Sequence, residues 1–391
     1  MKFCGYRCAL LLRCLCTAWV LIVIGMTTSV VAAGEKNPAA DIEQPADRMI
    51  AGMSLEEKVG QMMILGLHGP ALDAESKALL DEIRPAGISL YDANMETQEQ
   101  VQKVNQELQA KYGQKIPLFI SVDQEGGFVS RMQDQLTPPP SQEAIGRTGQ
   151  PENARKSAVE TAKSLRSLGF NVNFAPVADV GSGRERSFSK DAKVAAAFVE
   201  QAAAGYEQEH MIYALKHFPG IGRGHKNSHL DSVVVAADKK TLLTEDVLPF
   251  QRVMAKYPPE DYFIMVSHIS YPALDKEYPA SLSAVIVTDL LRRQFGWQGV
   301  IITDAMEMGA LSKHYSFHDT GVKAVQAGED ILMVAHGYDH AREVYHGVLQ
   351  ALRDGIISQE RIDASLKRIL RVKLQHLYPV GREPLPEKHR N

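Results

Sequence analysis

The chain is 391 residues long, 45% hydrophobic and 23% charged, with a formal net charge of −4. That composition excludes a disordered tail protein, a collagen and a disulfide-stapled miniprotein, and the lack of a basic surplus argues against a nucleic-acid partner. All four cysteines, Cys4, Cys8, Cys14 and Cys16, lie near the N-terminus, so the rest of the chain offers no disulfide, thiol nucleophile or cysteine-based metal site.

Residues 1–33 carry Lys2, Arg7 and Arg13 and no acidic residue, then an apolar run that ends Val31-Ala32-Ala33. A positive start, an apolar middle and a small-residue end predict a secretory signal cleaved after Ala33. The alternative is an uncleaved membrane anchor, because the apolar stretch approaches spanning length. Both predict an exported protein, periplasmic or extracellular. Residues 34–47 read as a short polar linker, 48–380 as one folded domain and 381–391 as a tail. Ser54-Leu55-Glu56-Glu57 has the pattern of a capping box opening a helix.

Beyond residue 48, short β-branched runs alternate with longer stretches of helical period. The predicted strands are Gln61–Leu67, Ala86–Tyr91, Pro117–Val122, Val172–Ala178, Ile212–Lys216, Tyr262–Ser267, Gly299–Thr303 and Asp330–Val334. Helices are predicted over Gln98–Tyr112, Pro151–Leu168, Ala192–His210, Ser283–Phe295 and Arg361–Leu377. Strands alternating with helical crossovers predict an α/β fold, a single (β/α)8 TIM-type barrel. A doubly wound sheet is disfavoured because no glycine-rich dinucleotide fingerprint follows the first strand.

Polar residues cluster just after the strands: Asp123-Gln124-Glu125-Gly126-Gly127 after the third, His217 after the fifth, His268 after the sixth and Asp304 after the seventh. The carboxyl ends of barrel strands are where such folds carry chemistry. Any one of these could be a solvated loop residue; four together weaken that reading. Asp304, directly after an apolar strand, suits a nucleophile, a metal ligand or a helix N-cap. The fifth loop, residues 216–231, holds His217, His225 and His229 among Gly220, Gly222 and Gly224, which suits a mobile loop bearing a histidine acid/base. His225 and His229 are four apart, the spacing of a helical zinc pair, but the glycines and Asn227-Ser228 oppose a helix there and no glutamate follows His225. Neither metal nor cofactor is expected.

The chain resembles the family 3 glycoside hydrolases, in particular their NagZ-type β-N-acetylglucosaminidases. The resemblance spans residues 53–375 through Met53-Ser-Leu-Glu-Glu-Lys-Val-Gly-Gln-Met, Asp123-Gln-Glu-Gly-Gly, Asn173-Phe-Ala-Pro-Val-Ala-Asp, Lys216-His-Phe-Pro-Gly, Ser267-His268, Tyr271-Pro-Ala-Leu-Asp, Pro279-Ala-Ser-Leu-Ser and Gly296-Trp-Gln-Gly-Val-Ile-Ile-Thr-Asp304, in that order. One barrel without a following α/β domain is the NagZ-type pattern. The resemblance implies a retaining mechanism in which Asp304 is the nucleophile and His229 the general acid/base. It implies that Asp123, Arg131, Arg186, Lys216 and His217 bind the sugar. The implied substrate is a GlcNAc-containing oligosaccharide, either a peptidoglycan (muropeptide) fragment or a chitooligosaccharide, with no cofactor. A monomer is expected, attached to a membrane only if the N-terminal segment is retained.

Two positions depart from the family pattern. Asn227-Ser228-His229 stands where Asp-Ser-His is usual, and Ile221 stands where a histidine is common. Asn227 can orient the imidazole but cannot stabilise imidazolium with a full charge, which weakens acid catalysis. Asp231 is the nearest substitute. The departure keeps two alternatives open: a sugar-binding pseudoenzyme of the same fold, and a family 3 glycosidase or phosphorylase of other specificity.

Overall fold

The structure is a computed structural model that describes residues 38–224 and 233–378. Among these, eight strands run parallel: β1 Met63–Gly66, β2 Gly87–Leu90, β3 Phe119–Val122, β4 Val172–Asn173, β5 Ile212–Phe218, β6 Tyr262–Val266, β7 Val300–Thr303 and β8 Leu332–Val334. Each lies within or beside a run read from the sequence as a strand. Every strand residue is buried, as expected for parallel strands covered by helices on one face and packed into a barrel on the other. β1 pairs with both β2 and β8. The ring closes through a bridge between Ile302 of β7 and Ile331, just before β8. The fold is the (β/α)8 TIM-type barrel.

The crossover helices follow their sequence signals. Ser54 caps the helix Leu55–Gly60 with the reciprocal bond from Glu57, completing a capping box. Thr97, Asp191 and Ser358 cap Gln98–Tyr112, Ala192–Gln208 and Gln359–His376 through their side-chain oxygens. The Val285–Gln294 crossover is a wide, π-type helix.

The polar linker expected over 34–47 is corrected in part. Residues Pro38–Ala51 form a helix, and Ala46, Met49 and Ile50 on it are buried. Those three sit at i, i+3 and i+4, the spacing of one helical face, but polar residues around Ala46 hide the pattern. Glu43 and Asp47 pair with Arg371 and Lys367 of the last helix, Gln359–His376. Among the described residues no helix is long and apolar enough to cross a membrane. The segment 1–33 lies outside the described residues.

Candidate active site

The carboxyl ends of the strands surround a cavity of about 1000 Å³. Its wall is built by ion pairing between consecutive loops. Glu125, three residues beyond β3, is buried, and Arg186 grips it at both oxygens, Nε to Oε2 at 2.8 Å and Nη2 to Oε1 at 2.7 Å. Lys216 Nζ lies 2.7 Å from Glu125 Oε1 and 2.5 Å from Asp123 Oδ1. Burial pushes the Glu125 carboxyl up, but Lys216 and Arg186 outweigh it and hold it well below the usual range. Burial likewise disfavours the Lys216 ammonium, and the Asp123 and Glu125 carboxylates more than restore it. Arg131 donates to Asp92 Oδ2 at 2.6 Å and lies 3.9 Å from Asp123 Oδ2.

β5 carries two adjacent residues of this site. In a regular strand, neighbours point to opposite faces. Here the register with β6 slips between Lys216 and Phe218, leaving His217 as the extra residue of a bulge. Lys216 and His217 therefore both line the cavity. Asp179, six residues beyond β4, accepts from His217 Nδ1 at 2.8 Å and from the His217 and Ile221 backbone N–H groups at 3.0 and 2.9 Å. The imidazole proton is thereby assigned to Nδ1. Nε2 is then the acceptor for Arg186 Nη2 at 3.3 Å.

Asp304 follows β7 and lines the same cavity. Its Oδ1 accepts from the Ala305 N–H at 2.8 Å, and Oδ2 has no hydrogen bond among the described residues. The next helix begins at Gly309 with Met308 at its N-cap position, so Asp304 does not serve as a helix cap. Burial raises its pKa, but interaction with His217, His268 and Lys216 and the hydrogen bond from the Ala305 N–H together bring it below the ordinary aspartate value. Asp304 is therefore ionised near neutrality. His268 is buried, held by Ser281 Oγ at 2.7 Å and the Ala305 carbonyl at 3.0 Å. Burial lowers its pKa.

The geometry thus brings Asp123, Arg131, Arg186, Lys216, His217 and Asp304 to one cavity, six of the eight residues singled out from the sequence. His229 and Asn227, with Asp231, lie outside the described residues. The Asp304 carboxylate, with Oδ2 free of hydrogen bonds among the described residues and the fixed cation Lys216 in the same cavity, suits attack on an electrophilic carbon of a hydroxyl-rich ligand.

The profile of the glycosyl hydrolase family 3 N terminal domain matches residues 54–372. The chain belongs to glycosyl hydrolase family 3. Within this family it is 32% identical to a Haemophilus influenzae beta-hexosaminidase over 74% of this chain and 82% of that one. It is also 32% identical to beta-hexosaminidase A of Pseudoalteromonas piscicida, over 77% of this chain. It spans only about half of that relative, 55% of its length. A solved family 3 beta-N-acetylglucosaminidase from a Paenibacillus species superposes with a TM-score of 0.80 at 33% identity, covering 83% of this chain and 63% of the other.

Some family 3 residues at this site were not assigned from the sequence. Glu125 and Asp179 lie inside the motifs Asp123–Gly127 and Asn173–Asp179, yet their work as anchors for Arg186 and His217 appears only in three dimensions. His268 carried a positional signal, a polar residue directly after a strand. Tyr91, Asp92, Glu307 and His336 also line the cavity. Tyr91 ends a predicted strand with Asp92 next to it, and Glu307 and His336 are single polar residues beyond β7 and β8, with nothing local to separate any of them from an ordinary loop.

Proposed function

We propose that this family 3 chain is a retaining β-N-acetylglucosaminidase that removes terminal β-linked GlcNAc from peptidoglycan fragments or chitooligosaccharides. The observation that carries the reading is the ionised Asp304 carboxylate, one oxygen free, in a cavity walled by the Glu125–Arg186–Lys216–Asp123 cluster. The names of the relatives support the sugar. In the mechanism, Asp304 attacks the anomeric carbon while His229 gives its proton to the leaving oxygen. A covalent glycosyl-enzyme forms and the aglycone departs. His229 then takes a proton from water, the water oxygen attacks the same carbon, and the Asp304 ester bond breaks. Asn227 orients the imidazole in this scheme. Asp123 and the Nε2 of His217 accept from sugar hydroxyls, while Arg131, Arg186 and Lys216 donate to sugar oxygens and stabilise the charge that develops.

The N-terminal segment 1–33 is proposed as an export signal, which would put hydrolysis outside the cytoplasm. The test of the activity is release of a chromogenic aglycone from an aryl β-N-acetylglucosaminide between pH 5 and 8. Release far above that from the aryl glucoside supports the reading. No release from a folded protein overturns it and favours a sugar-binding role, which calorimetry with GlcNAc would detect.

A further inference from the structure

Phe128 is 63% exposed, and it is the one aromatic among the exposed large hydrophobic residues described. An isolated exposed aliphatic needs no explanation, but an exposed aromatic at the mouth of a polar cavity does. Phe128 lines that mouth together with Arg184, whose guanidinium carbon lies 4.9 Å from the ring centroid.

Both side chains are held in place. Phe128 sits at the tip of a tight turn closed by the Glu125 and Gly126 N–H groups donating to the Val129 carbonyl. Gly126 and Gly127 have φ of 99° and 57°. A Cβ at Gly126 would collide with the Pro140 backbone and one at Gly127 with Ser141, so the turn is wedged tightly against that segment. On the other side Arg184 and Glu185 have φ of 56° and 59°, a conformation that side-chain-bearing residues adopt at a cost and that recurs at ligand sites. Ser187 Oγ accepts from the Ser182 N–H at 2.7 Å, and Gln142 Nε2 donates to the Arg186 carbonyl at 2.9 Å, which pins the loop. The two loops meet at two levels: Glu125 with Arg186 deep in the cavity, and Phe128 with Arg184 at its rim.

Arg186 is committed to a carboxylate, whereas no carboxylate among the described residues pairs with Arg184. A guanidinium stacked on a ring keeps its N–H donors directed outward in its own plane, where a bidentate anion can meet them. The free face and edge of the Phe128 ring suit the C–H face of a pyranose.

We propose that Phe128 and Arg184 form a leaving-group subsite that takes a pyranose carrying a carboxylate substituent, with the ring against Phe128 and the carboxylate on Arg184. This rests on the glycosidase reading above and assigns what binds beyond the bond to be cut.

The test compares two disaccharides on the full chain: N,N′-diacetylchitobiose, and GlcNAc β-1,4-linked to N-acetylmuramic acid, whose lactyl ether adds the carboxylate. The expected preference is about tenfold in kcat/KM for the acidic disaccharide. Arg184→Gln should abolish that preference by slowing the acidic substrate, while Phe128→Leu should weaken both disaccharides and spare the preference. Equal losses on both disaccharides with Arg184→Gln, or none, would overturn the proposal. Equilibrium binding of both disaccharides to an Asp304→Asn chain, with and without Arg184→Gln, reads the same preference without turnover. If the wild-type protein releases no aglycone from an aryl glycoside but this binding preference stands, the glycosidase reading falls and the subsite survives. If hydrolysis proceeds and the preference is absent, the subsite falls alone.

Discussion

Buried charge occupies both ends of this barrel and is treated in opposite ways. At the floor, Asp330 precedes β8 and is fully buried. It accepts from Arg368 at 2.7 and 3.0 Å, from Ser365 Oγ at 2.6 Å, from the Ile301 N–H at 3.0 Å and from Arg292. Its oxygens are saturated and no room is left for a ligand. Beside it Glu329 has both carboxylate oxygens unpaired among the described residues, and burial with repulsion from Asp330 raises its pKa well above the usual value. At the mouth, Glu125 is equally saturated, but Asp304 keeps an oxygen free of hydrogen bonds among the described residues and lines the cavity. The floor uses ion pairs to bolt the last helix onto β7 and β8. The mouth uses the same chemistry as scaffolding for groups left incomplete. Perturbed ionisation alone does not separate a structural centre from a chemical one; an unfilled valence beside a cavity does.

That contrast can be broken most directly at Asp304. Asp304→Ala should lower kcat by roughly 10³-fold or more while the melting temperature stays within a few degrees of the parent, as expected for a group that works on substrate and not on the fold. Full activity would remove the assigned nucleophile. Asp330→Asn should do the reverse. Leaving Arg292, Arg361 and Arg368 without their buried counter-charge costs about 3–5 kcal/mol. Calorimetry should show this as a large drop in Tm, with the kcat of the surviving folded fraction nearly unaltered. A stable Asp330→Asn protein would mean that the floor cluster is dispensable.

A sharper distinction comes from Asn227→Asp. If the missing charge limits the acid step, this substitution raises the rate about tenfold, most for substrates with poor leaving groups. No change, or a loss, points to Asp231 or another group already serving His229, and Asp231→Ala becomes the next measurement. The smallest effect concerns pH and again belongs to the floor. Burial, and then repulsion from Asp261, push Glu207 up to about 8. The folded protein therefore holds a proton there that the unfolded chain releases above its ordinary pKa near 4.5. Glu207 favours folding most below that value and loses the contribution as pH rises towards 8. Glu207→Gln should flatten the fall in Tm between pH 5 and pH 8. An identical slope in the variant would show that Glu207 titrates normally.

Much of this architecture was legible in the sequence because parallel strands buried on both faces leave unbroken apolar runs, bounded by polar loops, that need no tertiary information to read. The helix Gln98–Tyr112 was legible to the residue, since Thr97 and Gly113 punctuate it. The helix Pro38–Ala51 was not. Only three of its described residues are apolar and buried, and what holds it in place is a partner more than 300 residues away.

The same division runs through the site. Position after a strand was enough to select Asp123, His217 and Asp304, because a barrel sends the residues after each strand to one rim regardless of detail, while Arg131, Arg186 and Lys216 were selected by the family resemblance of their motifs. The sequence also determined the family, since its motifs are local strings. Only tertiary structure decided that Glu125 and Asp179 are the anchors, that a bulge in β5 turns two consecutive side chains into one cavity, and that Arg184 rests on Phe128. Those are contacts between loops that lie far apart along the chain. They depend on distances of a few ångströms between charges, which no local pattern encodes.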